Sequence, residues 1–258
     1  MQFKRLKVLM LVLFFLLDIF LLNWWRAGQV PNEQVTDANA NIITEMKKQK
    51  IQLPKFSTTV HYSGYIAAQR GNKDTMALPS GLNVTTNRQS DIVTVKLKTP
   101  ELPEKETAVS ENSQNPLTIA KRSGYRYNSV LTADKANSDR VYSQRIRGLP
   151  VIDDNGTMTF QYNKEGKITG FIQRQLVNVQ RLRDDRATIT EEEAIVALYR
   201  YNELDGGDRL SAGYLSYDKS LTVNGYDIYL PVWAFEAHSG NEKYVLKINA
   251  FTGDNLSE

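Results

Sequence analysis

One apolar run near the start of the chain constrains it most. Lys4, Arg5 and Lys7 precede an apolar stretch from Val8 to Leu22, interrupted only by Asp18 and closed by Asn23, Trp24 and Trp25. Wound as one helix over 8–25, this stretch is roughly 27 Å long at about 1.5 Å per residue, the thickness of a bilayer core. The basic cluster on its N-terminal side orients it with residues 1–7 in the cytoplasm, and Trp24 and Trp25 mark the opposite interface. A cleaved signal peptide is the competing reading. It needs small residues after the apolar stretch, and Leu21-Leu22-Asn23-Trp24-Trp25 has none. The expectation is a single-pass anchor in the cell membrane with everything beyond Arg26 outside the cytoplasm.

Charge has to be read against that boundary. The formal net charge is +3, but residues 1–26 hold four of the 32 basic residues and one of the 29 acidic ones, leaving 28 of each beyond. A neutral ectodomain has no bulk field to draw it to nucleic acid, and no nucleic-acid partner is expected. Cysteine is absent, so disulfides, thiolate metal sites and thiol nucleophiles are excluded.

Beyond the anchor, residues 32–50 read as a juxtamembrane helix with Val35, Ala38, Ile42 and Met46 on one stripe, ended by Pro54. Strands are expected around Thr58–Ala67 and Asp91–Lys98; in the latter Val93, Val95 and Leu97 alternate with polar residues. Residues 99–116 carry three prolines and four glutamates and read as a linker or long loop. The expected organisation is a first α+β module over 32–98 and a second over 117–258.

The second module is the better patterned. Strands are expected at Val141–Ile146, at Met158–Tyr162 and, after a turn at Asn163–Gly166, over Ile168–Val179. Thr190 and Glu193 form a capping box for a helix whose buried face is Ala194, Ile195 and Leu198. Three strands follow at Tyr214–Tyr217, Tyr226–Phe235 and Lys243–Ala250, with Asn224-Gly225 supporting a turn just before the second and Ser239-Gly240 linking the second to the third. In Tyr226–Phe235 both parities are apolar, which predicts a central strand covered on both faces. The pattern is α+β, with a helix across an antiparallel sheet.

Chemistry-bearing motifs are missing. The two histidines, His61 and His238, lie in separate segments, and no metal-ligand spacing, nucleophile elbow or phosphate-binding glycine pattern occurs. Asp153 and Asp154 sit in a turn signal. Neither enzymatic activity, nor a metal, nor a cofactor is expected. Within the anchor, Leu11, Phe14, Phe15, Leu21, Leu22 and Trp25 share a helix face with Asp18, at offsets of three, four and seven residues. These are the candidate contacts with a partner helix; the alternative is that Asp18 is neutralised or reaches the outer headgroups without a partner.

The basic tail, Leu17-Asp-Ile-Phe-Leu-Leu22 and Met46-Lys-Lys-Gln-Lys-Ile-Gln-Leu-Pro54 resemble the YycI regulatory proteins of low-GC Gram-positive bacteria. So do Gly148-Leu-Pro-Val151, Gly166-Lys-Ile-Thr-Gly-Phe171, Thr190-x-x-Glu193-Ala194-Ile195, Tyr229-Leu-Pro-Val-Trp233 and Asn249-Ala-Phe-Thr-Gly253. The resemblance is strongest over 1–55 and 141–258 and weakest over 70–135. It implies an accessory protein of the WalK/WalR two-component system, with a WalK-type sensor histidine kinase and a YycH-type membrane protein as partners and cell-wall homeostasis as the process controlled. It also implies a PepSY-like ectodomain. Two other functions compete: a PepSY-like module binding or inhibiting an extracellular wall hydrolase or protease, and a module binding wall polymer or another external ligand.

Overall fold

A computed structural model describes residues 2–27, 33–72, 84–89, 91–102, 116–133 and 139–257. The chain divides into two compact units, Met1–Ile43 and Thr44–Glu258. The first holds helix α1 (Gln2–Ala27) and the start of helix α2 (Glu33–Lys48). In α2 the buried residues are Asn39, Ile43 and Met46, whereas Ala38 is exposed and Ile42 only half-buried. Met46 is buried as expected, whereas Asn39 and Ile43 take the buried places expected of Ala38 and Ile42, and Val35 lies outside the described side chains. A polar Asn39 on the buried side is invisible to an apolar count.

The second unit runs β1 (Tyr62–Ser63), β2 (Ile66–Arg70), β3 (Val84–Gln89), β4 (Ile92–Glu101), α3 (Pro116–Arg122), β5 (Tyr125–Tyr127), α4 (Ser129–Ala133), β6 (Arg140–Ile146) and β7 (Leu149–Pro150). It continues with β8 (Thr157–Tyr162), β9 (Ile168–Gln173), β10 (Leu176–Arg181), β11 (Arg186–Ala187), α5 (Glu191–Arg200), β12 (Arg209–Leu210), β13 (Tyr214–Val223), β14 (Tyr226–Ser239) and β15 (Glu242–Asn249). All pairings between strands are antiparallel, which bears out the α+β reading.

One sheet has the order β3-β4-β9-β8-β6-β5, with β7 also on β6. Alternation builds its core: Val93 and Val95 from β4, Met158 and Phe160 from β8, and Ile168 and Phe171 from β9 point to one face. Leu117 and Ala120 of α3 pack against it. Strands β1 and β11 pair apart as a two-stranded sheet, and a third sheet is organised by β14. One edge of this strand pairs β13 and then β12; the opposite edge pairs β2 and then β15, with β10 beyond β2. The β13–β14 turn has Asn224 and Gly225 at φ of 50° and 79°, the left-handed pair that a type I′ hairpin requires.

Two expectations fail on topology. The stretch 168–179 is not one strand: it breaks at Arg174-Gln175, leaving β9 in the first sheet and β10 in the sheet of β14. The division into modules at 32–98 and 117–258 also fails, because β4 pairs β9 and β2 pairs both β10 and β14. The strands before the expected linker are built into the sheets of the strands after it. Residues 103–115 lie outside the described ones.

Candidate functional site

The anchor-face residues all lie on α1. At about 100° per residue, offsets of three, four and seven place Leu11, Phe14, Phe15, Leu21, Leu22 and Trp25 within about 60° of Asp18. Leu11 is 71 % exposed and Phe15 65 %, and the opposite side is no more covered, with Leu13 at 63 % and Phe20 at 60 %. Among the described side chains of α1, large apolar ones are exposed on both sides of the helix. Lys7 is exposed, and Lys4, Arg5 and Trp24 sit on the same helix, though their side chains and that of Trp25 lie outside the described ones. Among the described residues no helix is long and apolar enough to cross a membrane. Described side chains run without a gap only over 10–23.

In the second unit the buried carboxylates have internal partners. Asp227 on β14 takes Arg70 in a two-pronged grip, Nε at 2.8 Å and Nη2 at 3.3 Å, and also accepts from the Thr222 hydroxyl and from Asn155 Nδ2. Burial alone raises its pKa, but the bonds from Arg70 and Thr222 outweigh it and hold the carboxyl below the ordinary value. Glu191, at the start of α5, accepts from the backbone N–H groups of Ser57 and Gly213 at 2.9 and 2.7 Å. Asp153 is pushed up by burial, against the pull of the Asn155 N–H and the Tyr229 hydroxyl. These groups tie strands and turns together. Asp153 and Asp154 lie in their turn, with Asp153 capping the short 3₁₀ helix at Asp154–Gly156.

The histidines remain apart. His61 meets the edge of the Trp233 ring at 5.7 Å. His238 Nδ1 lies 3.3 Å from Arg209 Nη2, so Nδ1 must accept, and Nε2 then donates to Glu236 Oε1 at 2.7 Å. Among the described residues no group of three or more His, Asp or Glu could hold a metal ion.

Two cavities open on the second unit, of about 480 and about 830 Å³. The larger has Leu131, Ile152, Leu230 and Leu256 on its walls together with the Asp218–Lys247 ion pair at 2.9 Å. The smaller is lined by His61, Arg126, Arg145, Tyr214, Leu215 and Trp233 among others. Sequence reasoning missed both. Their walls join segments as far apart as His61 and Trp233, and only the Tyr229-x-x-x-Trp233 parity hinted at the aromatic floor.

Among curated proteins none matches this chain. Solved structures that resemble it include a protein from Eubacterium rectale, at 11% identity and a TM-score of 0.45, covering 81% of this chain and 90% of that one. Another is the YpeB C-terminal domain of Bacillus megaterium, at 13% identity and a TM-score of 0.36, covering 88% and 95% respectively. At these scores the likeness is loose. The profile of the YycI protein family, in contrast, matches residues 31–251, most of the chain. The chain belongs to the YycI family and is thereby a regulator in the WalK/WalR two-component system.

Proposed function

We propose that this protein is a single-pass membrane regulator that acts by contact rather than by catalysis. Its N-terminus is cytoplasmic, α1 crosses the bilayer, and its PepSY-like second unit is extracytoplasmic. The observation that carries this reading is the exposure of large apolar side chains around the whole circumference of α1. Lipid covers most of that surface. The Asp18 face meets a helix of a WalK-type kinase or a YycH-type protein, where a hydrogen bond from the partner offsets the cost of an ionisable group in the membrane. A regulator of this kind shifts kinase output by binding its active and inactive conformations unequally, so its effect is the difference between two affinities. The internal partners of Asp227, Glu191 and Asp153 support a scaffold over an active site.

Photocrosslinking in living cells tests this. A crosslinker at Leu11 or Phe14 should capture the kinase or the YycH-type protein, and one at Leu13 or Phe20, off the Asp18 face, should capture neither. Protease added to protoplasts should remove the region after Arg26. Protection of that region sinks the orientation, and capture of a secreted hydrolase in place of the membrane partners replaces this function with an inhibitory one.

A further inference from the structure

We propose that the smaller cleft of the second unit binds a small organic phosphate, with the dianionic head held between Arg126 and Arg145 and the organic body against Trp233.

The shape of the cleft limits what can enter. Val151 bridges Tyr217 of β13, and Ile152 N donates to Tyr217 O at 2.9 Å. The chain leaving β7 therefore runs along β13, and Leu149 and Pro150 wall the cleft. A ligand meets side chains there rather than a strand edge. The volume of about 480 Å³ suits a small molecule. All the lining residues belong to the second unit, so the site stands or falls separately from α1.

Two like charges share one wall. Arg126 pairs Ser143 across β5 and β6, and Arg145 lies two residues beyond Ser143, so the arginines are diagonal neighbours on one face. Such neighbours lie about 7–8 Å apart, close enough for two long side chains to reach one ligand. Backbone carbonyls, not acids, orient the guanidiniums. Arg126 Nη1 donates to Lys121 O at 2.7 Å and Tyr125 O at 2.8 Å, and Arg145 Nη1 donates to Gly148 O at 2.9 Å. Neither forms an ion pair among the described residues, and Nε and Nη2 of each have no acceptor among them. No carboxylate side chain lines the cleft. Glu191 reaches its wall at Gly213, but Oε1 is taken by Gly213 N at 2.7 Å and Oε2 by Ser57 N at 2.9 Å.

That imbalance selects the head group. A carboxylate offsets one of the two positive charges. A phosphate monoester carries about −1.5 to −2 at pH 7 and presents three acceptor oxygens, enough for both guanidinium forks. The wall from the other sheet is apolar, with Leu215 paired to Trp233. Trp233 is fixed by Nε1 donating to Ile189 O at 3.0 Å and by His61 against its edge. The Tyr214 hydroxyl donates to Asn128 Oδ1 at 3.0 Å, and Asn128 Nδ2 donates to Ser143 Oγ at 2.8 Å. These bonds tie the two walls together before any ligand arrives, which lowers the cost of binding. A neutral ring would leave the arginines unpaired, and a bare anion would leave the indole unused. A phosphate on a small organic body satisfies both walls.

The test uses the full chain, labelled with fluorotryptophan, in neutral detergent micelles. Fluorine NMR then reports on three tryptophans, Trp24, Trp25 and Trp233, with Trp24→Phe and Trp25→Phe assigning the signals. Phenyl phosphate should shift the Trp233 signal saturably and leave those of Trp24 and Trp25 in place. Benzoate should bind about tenfold more weakly, because it offers one charge to two guanidiniums. Phenol, which keeps the ring and lacks the anion, should not saturate. The double variant R126Q/R145Q should reduce phenyl phosphate to the level of phenol, with the parent's melting temperature. R181Q, which alters an arginine outside the cleft, should change nothing. The proposal is overturned if phenyl phosphate does not saturate by millimolar concentration, or if benzoate or phenol binds as tightly. It is equally overturned if sodium chloride of the same ionic strength reproduces the shift, or if binding survives the double substitution. The contrast among the three probes on the parent needs no variant, so a misfolded double variant cannot shield the proposal.

Discussion

Helix α1 and strand β14 are both largely apolar, and they meet opposite fates. Tyr229, Val232, Ala234 and Phe235 of β14 have no exposed surface, because the strand is paired along both edges and covered on both faces by its own chain. Leu11 and Phe15 of α1 stay 71 % and 65 % exposed. A strand needs neighbours to satisfy its backbone, so an apolar strand recruits the core around it. A helix satisfies its backbone internally and can leave its side chains for another solvent or another protein. The same hydrophobicity makes β14 the spine of a fold and leaves the apolar side chains of α1 exposed.

The comparison is broken most severely from the buried side. Trp233→Ala removes the ring stacked near Phe235 and the bond to Ile189 O, and leaves a cavity. It should cost about 3–5 kcal/mol in denaturant unfolding. If the variant melts like the parent, β14 is not the spine. Next is Arg70→Leu, which strands the Asp227 carboxylate on β14; because Arg70 is partly exposed, a loss of about 1–3 kcal/mol is expected.

The pH dependence sharpens that test. Asp227 is held below its ordinary value of 3.8, so its share of stability is present above that pH and lost as pH falls through the lower folded-state value. Acid titration of the melting temperature should show this loss in the parent and a flatter curve in Arg70→Leu. Asp153, raised by burial, runs the other way and gains as it protonates. An unchanged acid limb in Arg70→Leu removes the ion pair from the account.

On the exposed side, Asp18→Leu should leave the unfolding of the second unit untouched while weakening recovery of the kinase complex by about 0.6–2 kcal/mol. Asp18→Asn, which keeps a hydrogen-bonding group, should be milder. Equal recovery for all three proteins makes Asp18 a passenger. The smallest effect belongs to an element of local character. Thr190→Ala loses the cap that accepts from Glu193 N, and should cost about 1 kcal/mol by thermal melting. No loss there means that packing alone sets the start of α5.

What could be read without coordinates was local. The capping box at Thr190 and Glu193 forms as written, with Thr190 N bonded to Glu193 Oε2 at 2.7 Å, because cap and helix are three residues apart. The alternations in β4 and β8 put Val93, Val95, Met158 and Phe160 in one core, and Asn224-Gly225 makes its hairpin turn. The cleft was not legible, since Arg126, Leu215 and Trp233 come from strands whose pairing no local pattern specifies.

The sequence by itself therefore determined the capping box of α5, the alternation of β4 and β8, the apolar composition of α1 and the absence of thiol chemistry. Only the tertiary structure decided which sheet each strand joins. It placed β2 and β4 among strands about 70 to 160 residues later and split 168–181 between two sheets. The physical reason is that side-chain alternation marks the face a strand buries, whereas its partner is chosen by the backbone hydrogen bonds along its edges, and those are the same for every residue but proline.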